Sequence, residues 1–159
     1  MEARAFVRDA VEYIAAAQAI DDSIGGESGF EILSPKVAYY NAYHGIELAA
    51  KAMLVHAGWT ESQLRDVGHQ LSDAIAAAQK HGLNASLTTD ELRLIDLLDQ
   101  HYLRLRYPRS GKVELPIWGP LTGIMIKVLK GAMAAIPGSE NAIRAEALDR
   151  MTGFPDWHA

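Results

Sequence analysis

Tyr40, His44, Glu47 and Lys51 follow one another at intervals of four, three and four. If this stretch is helical, that spacing stacks all four side chains on one face. Such a face is ionisable, and two readings of it are open. It could wall a pocket in which His44 or Glu47 accepts a proton and Lys51 contacts an anion. It could equally be a half-solvated surface with an ordinary Glu47 to Lys51 pair, contributing about 0.3 to 0.5 kcal/mol. A second group lies further on, where Arg104, Arg106, Arg109 and Lys112 are interleaved with Tyr102 and Tyr107. The planar fork of arginine matches phosphate oxygens and a tyrosine ring can stack on a base, so this is the strongest candidate for a phosphate contact. Cations near a helix C-terminus also complement the helix dipole, and Arg104 and Tyr107 could pair with acids such as Glu91 or Asp96. No metal site is expected. His44 and Glu47 supply only two ligands, their order reverses that of the helical carboxylate centres, and the chain has no cysteine.

Helices must position these groups. Phe6, Val7, Ala10, Val11, Ile14, Ala17 and Ile20 recur at steps of three and four, which predicts an amphipathic helix over 2–20, ended by the polar and glycine-rich 21–29. Ser34 followed by Pro35 is a helix start, with a hydroxyl to accept an orphan N–H and a ring pre-set for the first turn. From it Tyr39, Ala42, Tyr43, Ile46, Ala50, Met53 and Ala57 line one face until Gly58. A third helix is predicted from about His69 to Gly82, with Leu71, Ile75 and Ala78 inward. Thr88 and Glu91 fit a capping box ahead of a fourth, whose stripe is Leu92, Ile95, Leu98, Tyr102 and Leu105 and which Pro108 ends near Tyr107. A loop over 108–116 leads to a fifth, opened by Gly119-Pro120, lined by Leu121, Ile124, Met125, Val128, Leu129, Met133 and Ile136, and closed by Pro137-Gly138. A short sixth is expected over 139–151, then a loose tail. Extended pieces are confined to 30–33 and 113–115. Trp118 and Trp157 read as packing plugs, and the alanine clusters at 15–17, 76–78 and 134–135 as close helix contacts within the subunit.

The expected fold is therefore all-α, an up-and-down antiparallel bundle of five to six helices. A single domain is expected over 1–159, its core over about 2–136 and a C-terminal helix and tail over 139–159. With 49% hydrophobic and 22% charged residues, the chain is composed like an ordinary globular domain. The start carries acids where a secretory signal would be basic and then apolar, and cysteine is absent, so a cytoplasmic address is expected. No uninterrupted apolar run approaches a membrane span. The formal charge of −5 argues against bulk nucleic-acid binding but leaves room for a local basic patch.

The segment SPKVAYYNAYHGIELAAKAMLVHAGWTESQLRDVGHQL at 34–71 resembles a HEPN domain. Glu47 and Lys51 on a helix of small and aromatic residues, then Gly58, then Gly68-His69-x-Leu71, are similar to that family's "E…K…G…gHdL" order, and HYLRLRYP at 101–108 resembles its "Y…RYP" ending. The resemblance implies a helical bundle, frequently dimeric, that binds nucleotide or RNA or supports a partner such as a nucleotidyltransferase, in some cases within toxin–antitoxin pairs. It puts His69 where the imidazole can turn back toward Glu47, so a hydrogen bond between the two is expected. Catalysis is not. Ribonucleases of the family carry an arginine, four to six residues and a histidine, whereas Arg65 and His69 are separated by three and no histidine follows Arg109 until His158. The expected ligand-binding residues are Arg104, Arg106, Tyr107, Arg109, Lys51, Glu47, His44 and His69, with no cofactor and a homodimer as the assembly. An enzyme reading, a degenerate endoribonuclease, would instead bring His69 or His101 to Arg106 across a subunit interface, and a third reading is an interaction protein whose arginines hold the fold together.

Overall fold

A computed structural model describes residues 1–24, 35–107 and 113–142. In chain order it contains α1 (Ala3–Ile24), α2 (Lys36–His56), α3 (Glu61–Val67), α4 (Leu71–Lys80), α5 (Thr89–Arg106) and α6 (Trp118–Ala135), followed by a 3-10 turn at Ser139–Ala142. The described residues include no strand, in keeping with the expected all-helical bundle; 113–115 is irregular. The expected C-terminal helix, the piece at 30–33, Ser34, Pro108 and Trp157 lie wholly or mainly outside the described residues.

The bundle is organised around α2, which packs against α1, α4, α5 and α6. Its axis is deeply placed because both sides of the helix are apolar: Tyr39, Tyr43, Ile46 and Leu54 are all fully buried. α1 approaches it closely at Gly45, where a Cβ would stand 2.6 Å from Ile14 Cγ1 and 3.2 Å from the Ala10 carbonyl. Ala10, Ala17, Ala42 and Ala49, all at 0% exposure, keep this contact tight; of the alanine clusters read from the sequence, Ala15, Ala17 and Ala78 are buried while Ala16, Ala76 and Ala134 are exposed. α6 closes the core with Leu121, Ile124, Val128 and Leu129. Trp118 at its start is buried edge-on to Tyr39 at 5.1 Å, the packing role anticipated for it.

Four details depart from the sequence reading. α1 runs one turn beyond residue 20, because Gln18 Nε2 donates to Asp22 Oδ1 at 2.7 Å and Ser23 Oγ to the Ile20 carbonyl, satisfying polar groups that otherwise favour a turn. Residues 61–67 form the extra helix α3, started by a capping box in which Thr60 and Gln63 each satisfy the other's backbone N–H. α4 begins at Leu71, two residues later than expected, since its first N–H groups are capped by a side chain from α5. Leu92 is 43% exposed and Ala57 is exposed, because the apolar face of α5 starts only at Ile95 and α2 outlasts the core by a turn. Thr88 and Glu91 form the capping box read from the sequence, and α5 ends at Tyr107 as expected.

Candidate functional site

Glu47 is the one charged side chain among the buried described residues, at 2% exposure. Three groups converge on it. Lys51 Nζ, one turn along α2, donates to Oε1 at 2.7 Å; His69 Nδ1, from the turn between α3 and α4, stands 3.0 Å from the same oxygen; His44 Nδ1, one turn back, is 3.3 Å from Oε2. Burial by itself would raise the Glu47 carboxyl. The hydrogen bonds from His44 and Lys51, the Lys51 charge and the bond from His69 outweigh it and hold the group at about 2, against an ordinary 4.5. The carboxylate is therefore ionised throughout the physiological range. Lys51 also donates to the Gly68 carbonyl at 2.7 Å, so one of its N–H donors holds Glu47 within α2 and a second ties the α3–α4 turn to that helix. Gly68, at φ 65°, supplies the backbone conformation that turns His69 back toward Glu47.

The same turn is held from its other side by Asp99 of α5. Its Oδ1 accepts from Leu71 N at 2.7 Å and from the Tyr43 hydroxyl at 2.6 Å, while Oδ2 accepts from Ser72 N at 2.9 Å and Ser72 Oγ at 2.7 Å. The Tyr43 hydroxyl is shared between Asp99 and the His69 carbonyl. Burial, then the hydrogen bond and charge of Asp99, push the Tyr43 phenol far above its ordinary value, so it remains a neutral donor. Asp99 was not singled out in the sequence. A signal for it exists, because it lies four residues after Ile95 and three before Tyr102, which puts an acid on an otherwise apolar stripe. An acid there needs a buried donor set.

Arg106 joins this cluster through Tyr102. The His69 ring stacks on Tyr102 with centroids 5.3 Å apart and planes 21° apart, Tyr102 packs on Tyr43 at 4.8 Å, and Arg106 Nη1 donates to the Tyr102 hydroxyl at 3.3 Å. The Arg106 guanidinium is exposed and lies 5.4 Å from the Tyr107 ring, itself 46% exposed. His44 stacks on Tyr40 and meets the edge of Tyr13. Beside the two histidines an open cavity of about 350 Å³ has apolar walls that include Phe6, Leu48 and Leu64, with Arg65 on its rim. Arg65 is held at 2.9 Å by Glu61 and both are largely exposed.

Comparison with protein-family models matches residues 7–114 to the HEPN domain. The chain belongs to the HEPN domain family. No curated protein and no solved structure gives a significant match. Within this HEPN domain the two groups of residues read from the sequence come together: Glu47, His44 and Lys51 on α2, His69 on the turn, and Arg106 and Tyr107 at the end of α5. The expected Glu47–His69 bond is present. Arg104 is half-buried and partnered, while Arg109 and Lys112 lie outside the described residues. Glu91 does not pair with Arg104 or Tyr107. It stands about 20 Å up the same helix from Arg104, and both of its oxygens are taken by Lys127 of α6, at 2.8 and 2.9 Å. Within one chain His101 and Arg106 lie five residues apart on α5 and point about 140° from one another. Among the described residues no cluster of three or more metal-ligating side chains occurs, and no helix is long and apolar enough to cross a membrane.

Proposed function

We propose that this HEPN domain is a nucleotide- or RNA-binding accessory module without catalysis of its own, whose contact surface is built from Arg106, Tyr107, Arg104 and His69, with Arg109 adjoining in sequence. The observation that carries this reading is the ladder His69, Tyr102, Arg106, Tyr107, which sets a forked cation between aromatic rings on an exposed surface. The cation suits a phosphate and the rings of His69 and Tyr107 suit bases, and both kinds of contact tolerate any sequence. Lys51, Glu47 and His44 stand behind it as the wall that holds His69. The reading takes the module as a cytoplasmic homodimer acting beside a nucleotidyltransferase or in a toxin–antitoxin pair, as family membership suggests. Leu103 and Tyr107, exposed one turn apart on α5, offer a second copy an apolar contact.

Fluorescence anisotropy with labelled single-stranded RNA tests the reading. Arg106→Ala should weaken binding about evenly across sequences and lower the salt dependence by roughly one phosphate contact, with an unchanged melting temperature. Absence of binding to RNA and to mononucleotides by the intact protein would refute it.

One observation favours a second reading, a metal-independent endoribonuclease. A carboxylate on Nδ1 of His69 leaves Nε2 outward on a side chain that is 53% exposed, and Arg106 sits on the same tyrosine. Nε2 could then take the ribose 2′-hydroxyl proton while Arg106 stabilises charge on the phosphate. The 2′-oxygen would attack the phosphorus and expel the 5′-oxygen, which takes a proton from solvent and leaves as the 5′-hydroxyl, with a 2′,3′-cyclic phosphate on the other fragment. Cleavage of labelled RNA that is lost in both His69→Ala and Arg106→Ala would select it over binding alone.

A further inference from the structure

The two histidines that line the cavity are held as a pair. His44 comes from α2 and His69 from the α3–α4 turn, yet both present Nδ1 to one carboxylate, that of Glu47. Lys51 bonds the same carboxylate at 2.7 Å, and an ionised carboxylate can only accept. Each imidazole must then carry its proton on Nδ1. A neutral imidazole has a single N–H, so Nε2 of each is a bare acceptor. Neither Nε2 has a protein partner among the described residues. The Lys51 ammonium cannot offset this readily, because two of its three donors are committed to Glu47 and the Gly68 carbonyl. The two imidazoles thus present acceptors to the cavity, while the lysine and arginine that line it are engaged elsewhere, Lys51 by Glu47 and the Gly68 carbonyl and Arg65 by Glu61. A phosphate, which offers only acceptors, would meet two lone pairs there.

We propose that this cavity seats an amino-bearing nucleobase, its ring between Phe6, Leu48 and Leu64 and its exocyclic amine directed at Nε2 of His44 and His69. This rests on the nucleotide-binding reading above and assigns base and phosphate to different parts of the surface. An exocyclic amine has two N–H donors, one for each imidazole, and the apolar walls cover the ring faces that water solvates poorly. At about 350 Å³ the cavity is large enough for a base with its sugar at the mouth. Arg106, across the His69 ring, remains free to meet the phosphate.

Two measurements on the intact protein at pH 8 test the proposal. Long-range ¹H–¹⁵N correlation should show both His44 and His69 protonated at Nδ1. Calorimetric titration should then give adenosine an affinity roughly tenfold above that of purine riboside, which lacks only the amine, the ratio expected for two lost neutral hydrogen bonds. Methyl resonances of Leu48 and Leu64 should move with adenosine while those of Leu103 stay. Protonation at Nε2, or equal affinity for the two nucleosides, would overturn the proposal. So would binding of RNA with no binding of adenosine, an outcome that leaves the nucleic-acid reading standing. Binding of neither RNA nor any nucleoside would end both.

Discussion

Replacing Glu47 with glutamine removes the charge at the centre of the cluster and almost none of its volume. In the folded protein the carboxyl sits at about 2, against 4.5 for an ordinary glutamate. That difference corresponds to about 3 kcal/mol of stability at neutral pH. The sign follows from the depressed value: the contribution is nearly complete above about pH 5 and is lost as the pH falls toward 2, with roughly 60% gone by pH 3. A direct count of interactions leads to the same scale. Breaking a buried ion pair by removing one partner costs about 3 to 5 kcal/mol, and Lys51, with 12% of its side chain exposed, would keep only neutral acceptors, the Gly68 carbonyl and the glutamine amide oxygen, and no counter-charge. For a chain of this length, about 3 kcal/mol lowers the melting temperature by about 6 to 12 °C. Urea unfolding followed by circular dichroism at pH 7, 5, 4 and 3 measures both effects. Glu47→Gln should be less stable at pH 7, and the gap between wild type and variant should close as the pH is lowered. Glu91, also held below its usual value, stays present in both proteins and cancels in the comparison. Equal midpoints at pH 7, or parallel acid profiles, would refute the reasoning.

Asp99→Ala should unfold at a lower temperature by about 5 to 10 °C, because it leaves two backbone N–H groups and a serine hydroxyl without their acceptor and the Tyr43 phenol with the His69 carbonyl alone, a loss of about 2 to 4 kcal/mol; a melt within 1 °C or so of wild type would refute this. Gly45→Ala, which drives a methyl to 2.6 Å from Ile14 Cγ1, should cost about 1 to 3 kcal/mol by overpacking the α1–α2 contact. The companion change Gly58→Ala has open space around it, so its cost comes from the backbone alone, at φ 89°. Differential scanning calorimetry of both variants, with Ile14→Ala made alone and added to Gly45→Ala to remove the Cγ1 contact, distinguishes crowding from conformational strain.

Local rules account for what could be read along the chain. The helix stripes of α2 and α6 and the capping box at Thr88 depend on interactions within four residues, so the order of types carries them directly. The box at Thr60 obeys the same rule, and α3 was legible there as Thr60-x-x-Gln63. The Glu47–Lys51 pair was legible as a spacing, but not its burial, which depends on the α3–α4 turn folding over it. Only tertiary packing could decide that an acid from α5 starts α4, that Tyr102 carries both His69 and Arg106, and that Glu91 belongs to Lys127. Each of these joins residues 28 to 36 positions apart, or bridges two elements through a third side chain. Sequence spacing sets the face a side chain occupies on its own helix; which other helix that face meets is set by how the whole core packs, and hydrogen bonds form wherever that packing brings donor and acceptor within reach.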